Sequence, residues 1–122
     1  MTKSTWTPSP EPLVQSFARA TGSMAGTEQR KMFGYPAVFV NGNMFAGLFR
    51  DSLVLRLGEA DRQAFLELPG ATPFKPMGRR MKEWVVAPAA MVKSPARLGA
   101  WLDKALAHGR SRPPKASRKT RR

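Results

Sequence analysis

Residues 37–57 read Ala37-Val38-Phe39-Val40-Asn41-Gly42-Asn43-Met44-Phe45-Ala46-Gly47-Leu48-Phe49-Arg50-Asp51-Ser52-Leu53-Val54-Leu55-Arg56-Leu57. Two apolar runs of strand length meet at Asn41-Gly42. A tight type I′ hairpin turn needs positive φ at both central residues, and Asn-Gly is the pair that tolerates it best. The returning strand is Asn43–Phe49, and Arg50-Asp51-Ser52 turns the chain again into Leu53–Leu57. Upstream, Gln29–Phe33 leads through Gly34 and Pro36 into the first run. The stretch therefore predicts an antiparallel meander of four strands with short connections.

Outward from the meander the signals turn helical. Ser9-Pro10-Glu11 has the form of an N-cap, a proline at the first helical position and an acid in the first turn, with Gly22 as the stop. Leu13, Phe17 and Ala20, beside Val14 and Ala18, form an apolar stripe between them, so a helix is expected over roughly 10–21. Glu59–Leu68 reads as a short helix carrying Phe65 and Leu68, ended by Pro69-Gly70. Phe74, the 75–80 connection and Met81–Val86 read as a further strand pair, with Phe74 and Trp84 as core residues beside the loop. Ser94-Pro95 repeats the cap signal, and Leu98, Trp101, Leu102, Ala105 and Leu106 give a stripe that Gly109 closes; this last helix is about 21 Å long. The order is helix, four strands, helix, two strands, helix. The fold class is α+β, with the helices packed on one face of a mostly antiparallel sheet.

Composition narrows the chemistry. The chain has 122 residues, no Cys and one His. Disulfides, thiolate nucleophiles, thiolate metal sites and a histidine metal cluster are all excluded within one chain. The acids are Glu11, Glu28, Asp51, Glu59, Asp61, Glu67, Glu83 and Asp103. Glu11, Glu59 and Asp61 fall in first helical turns, where they complement the helix dipole. Asp51 belongs to a turn, and Glu83, beside Lys82, reads as a surface cross-strand ion pair. His108, at the end of the last helix, reads as a cation on the C-terminal dipole. No nucleophile with a base and no carboxylate pair emerges, which argues against an enzyme, a cofactor or a small-molecule substrate. The longest apolar stretches, 44–49 and 84–92, are too short to span a membrane, and no signal-peptide core precedes Pro8. A cytoplasmic protein is expected.

Charge is distributed unevenly. Lys and Arg total 21 against 8 acids, a formal net charge of +13. Seven of those basic residues are Arg110, Arg112, Lys115, Arg118, Lys119, Arg121 and Arg122, within a stretch that holds no acid. Residues 110–122 are expected to be a disordered tail behind a domain at 9–109, with 1–8 a flexible lead-in. Two readings of the tail stand: sequence-independent contact with nucleic-acid phosphates, or a solubilising appendage. The connection carrying Lys75, Arg79, Arg80 and Lys82 divides the same way, between an anion patch and a solvated loop.

The strands raise a separate question, because they are apolar on both faces. Three helices of about 35 residues in all can cover one face of a six-stranded sheet, but hardly two. The second face is therefore expected to pack against another protein chain, most simply a second copy in a homodimer, with Val38, Val40, Phe45 and Phe49 as the interface. Coverage by the first helix and the segment holding Trp6 is the alternative.

Arg30-Lys31-Met32-Phe33-Gly34 followed by Asn41-Gly42-Asn43-Met44-Phe45-Ala46 resembles the opening of the TfoX/Sxy N-terminal-domain family. The Leu53–Leu57 strand, Phe74, Met81–Trp84, Pro88 and the Trp101 helix continue the likeness in order, over roughly 12–107. The resemblance implies a small α+β fold without an established catalytic centre. It also implies kinship with bacterial regulators of natural competence, which act alongside a cyclic-AMP receptor protein. Those regulators carry a second, helical domain where this sequence has its basic tail, so the resemblance transfers the fold more directly than the role.

Overall fold

The computed structural model describes residues 8–22, 24–32, 34–75 and 81–113. The chain runs α1 (Glu11–Thr21), β1 (Glu28–Met32), β2 (Tyr35–Val40), β3 (Asn43–Phe49), β4 (Ser52–Arg56), α2 (Glu59–Leu66), β5 (Thr72–Pro73), β6 (Trp84–Val86), α3 (Ala89–Val92) and α4 (Pro95–Ser111). This is the α+β order expected from the sequence, with the one-turn helix α3 added after Pro88. The six strands form one sheet in the order β1-β2-β3-β4-β6-β5, every neighbouring pair antiparallel.

The Asn41-Gly42 turn behaves as its residues require, with φ of 53° and 78°. The turn after β3 places Arg50 at φ 56°. Ser9, instead of capping α1, donates its hydroxyl to the Arg50 carbonyl at 2.6 Å, and Pro10 occupies the cap position. Gly22 ends α1 in right-handed geometry, so it is not used for positive φ.

One register row crosses the sheet as Val38, Ala46, Leu55 and Val85, each fully buried. It lies beneath the helices. α4 is 17 residues long, about 25 Å, and buries Leu98, Leu102, Ala105, Leu106 and Gly109 against the sheet. Phe65 of α2 meets Trp101 edge-on, with centroids 4.9 Å apart. α1 contributes Phe17 to the same core and packs along α3 and α4.

α4 does not stop at Gly109. It continues to Ser111, because a hydrogen at that position lets the helix press onto the hairpin. A Cβ there would stand 2.7 Å from Val40 Cγ1 and 3.4 Å from Phe45 Cβ. Arg110 thus belongs to the helix and Arg112 to its cap. The helix end is closed from outside by Asn43, buried at the start of β3, whose amide donates to the carbonyls of Gly109 (3.5 Å) and Pro113 (3.0 Å).

Candidate functional site

The two faces of the sheet are set by a bulge in β3. Ala46 opposes Val38 but Met44 opposes Phe39, so Phe45 is the extra residue. Phe45 and Ala46 consequently both turn toward the helices, and the alternation before the bulge is out of phase with that after it. This corrects the expected interface. Val38, Val40 and Phe45 are core residues under α4, at most 3% exposed. Of the four residues expected there, Phe49 alone lines the opposite face.

That opposite face carries a hollow of about 340 Å³. Its wall comes from Met32 at the end of β1, Tyr35 of β2, Met44, Leu48 and Phe49 of β3, and Val54 of β4. Phe74, Met81 and Trp84, at the base of the 76–80 connection, complete it. Met44 lies across Gly47, its Cε 2.5 Å from where a Cβ would stand, so the missing side chain makes room for the thioether. Phe49 packs between Tyr35 (centroids 5.7 Å apart) and Phe74 (5.4 Å, edge-on). Backbone bonds from Met81 to Phe74 and from Phe74 to Trp84 fix the far wall. Phe74 and Trp84 are thus half-buried lining, not core, and Met81 is the exposed large hydrophobic residue at the rim, at 43%. α1, expected as an alternative cover, lies on the helical side, and Trp6 falls outside the described residues.

The basic residues singled out in the sequence separate into groups. Lys75 and Lys82 are exposed on either side of the hollow's loop, while Arg79 and Arg80 fall outside the described residues. Lys115, Arg118, Lys119, Arg121 and Arg122 also lie outside them. Arg110 is engaged within the fold, donating to the Ala25 carbonyl at 2.9 Å.

Arg112 joins a cluster about Glu83. Glu83 Oε1 accepts from Arg56 Nε at 2.8 Å, with His108 Nε2 at 3.2 Å and Arg112 Nη1 at 3.5 Å. Glu83 sits in the turn before β6, and Arg56 pairs across the sheet with its neighbour Trp84. Glu83 thus lies in a turn and not inside the strand expected to carry it, and its ion pair with Arg56 of β4 is partly buried, with two further partners from the end of α4. Partial burial opposes ionisation of Glu83. Hydrogen bonds from Arg56 and His108, with the charges of Arg56 and Arg112, outweigh it and hold the carboxyl at about 2. His108 does lie in the last turn of α4, but its ring reaches across to Glu83. Glu83, met by Arg56 of β4 and by His108 and Arg112 at the end of α4, ties helix to sheet.

Among the described residues no group of three or more metal-ligating side chains occurs, and no helix is long and apolar enough to cross a membrane. The described residues form a helix-backed antiparallel sheet with an apolar hollow on the face away from the helices. The sequence profile of the TfoX N-terminal domain matches residues 20–109, and the chain belongs to that family. The match begins near the end of α1, later than the 12–107 span of the likeness read from the motifs. A search of curated proteins gives no match.

Proposed function

We propose that this protein is a non-enzymatic interaction module of the competence-regulator type that binds a protein partner on the open face of its sheet. The observation that carries the reading is the hollow itself, lined throughout by apolar and aromatic side chains, three of them methionines that repack readily around a partner. The residues that could serve acid–base chemistry, Glu83 and His108, are committed to holding α4 in place. Affinity purification from the native cell with the wild type, Met81→Glu and a control, Arg97→Ala on the exposed side of α4, tests the reading. A partner retained by the control and lost with Met81→Glu is the expected result. Equal retention by both variants overturns it.

A second reading, sequence-independent nucleic-acid binding through residues 110–122, is favoured by the seven basic residues there. It predicts a strong salt dependence of binding to random duplex.

A further inference from the structure

The hollow has a charged rim. Three of its lining residues are each followed in the chain by an exposed base: Phe49 by Arg50, Phe74 by Lys75 and Met81 by Lys82. The Arg50 guanidinium stands 5.2 Å over the Phe49 ring, at the lip itself. None of the three bases takes part in an ion pair among the described residues, whereas Arg30, Arg56 and Lys104 all do. Asp51 follows Arg50 and Glu83 follows Lys82, but Glu83 is paired with Arg56 at 2.8 Å, so the three cations outnumber the acid left to them and the rim is net positive.

Building on the docking role proposed above, we infer that the occupant of the hollow is an acidic protein segment carrying apolar anchors. The anchors fill the hollow while its carboxylates meet Arg50, Lys75 and Lys82. A second copy of this chain fits less well, since two basic rims would face each other on molecules of +13 net charge. A single-stranded nucleic acid seated in the hollow would need aromatic faces free for its bases to stack on. Here Phe49 is flanked by Tyr35 and Phe74, which pack tilted and edge-on against it.

Fluorescence anisotropy with three labelled amphipathic peptides tests this. One is built of Leu, Phe and Glu; the second has every Glu changed to Lys; the third keeps Glu but has Leu and Phe changed to Ser. The first is expected to bind the full chain. Its affinity should fall at least tenfold with Lys75→Glu combined with Lys82→Glu, and several-fold with Met81→Ser. All three positions are exposed, and circular dichroism checks the fold. A salt titration of the wild type, expected to weaken binding, serves if the double variant does not fold. Equal binding of the Lys peptide overturns the acidic occupant and leaves docking on the open face standing. Equal binding of the Ser peptide, or indifference to the variants, overturns both. A dimer dispersed by Met81→Glu assigns the hollow to a second copy. Tighter, variant-sensitive binding of single-stranded DNA assigns it to nucleic acid. Either of these overturns the inference.

Discussion

Asn43 is the residue whose loss should be felt furthest from its own strand. It is 2% exposed, and its amide answers one carbonyl in the last turn of α4 and one just past its cap, groups that an ordinary helix end leaves to water. Asn43→Ala removes the donor and leaves those acceptors partly buried, a loss of about 1–3 kcal/mol. Chemical denaturation should register this as a lower midpoint with an unchanged slope. In the sequence Asn43 is legible only as the first residue after a turn. Its partners are 66 and 70 residues away, and no local pattern announces a cap supplied from outside the helix. Gly109 is instructive for the opposite reason. A glycine near the end of a helical stripe reads as a left-handed stop, yet here it is kept for want of room, with Val40 and Phe45 directly against it.

At the scale of elements, the meander was readable because turn chemistry is local. Asn41-Gly42 fixes one hairpin, and the proline and glycine signals bound the helices to within a few residues. The bulge was not readable. From Met44 to Phe49 every residue is apolar or glycine, so no polar side chain marks where the alternation slips by one place. The apolar character of both faces was visible, and with it the open surface, but the residues that occupy that surface were not. The contact of α4 with the β6 turn was hidden likewise, because Arg56, Glu83, His108 and Arg112 converge only in the folded chain. That contact gives the fold an acid-sensitive joint. With its carboxyl held at about 2 against an ordinary 4.5, Glu83 contributes stability fully above the ordinary value. The contribution is lost as pH falls through about 2. Glu83→Gln should therefore lower the thermal midpoint at neutral pH, and the gap from wild type should close between about pH 4.5 and 2, as calorimetry across that range would show.

For the whole molecule, the net charge of +13 divides into parts with different duties. Arg110 and Arg112 are spent within the fold, which leaves Lys115, Arg118, Lys119, Arg121 and Arg122 as the tail's available cations. If those five alone meet phosphates, log K for random duplex falls with log salt at a slope of about −4.5, against about −6 for all seven. Deleting 114–122 should abolish that binding with little change in thermal midpoint; undiminished affinity would place the contact elsewhere. The tie between Asn43 and Pro113 also orders events in time. Each strand of the meander can pair with its predecessor as it leaves the ribosome, because two-residue turns join β2 to β3 and β3 to β4. The amide of Asn43 has no such neighbour to wait for. Its carbonyl partners are synthesised 66 and 70 residues later, a delay of roughly 3–14 s at about 5–20 residues per second. During that interval the nascent sheet has neither α4 over its buried row nor a partner for its polar corner, so the domain can close only once its last helix has been made.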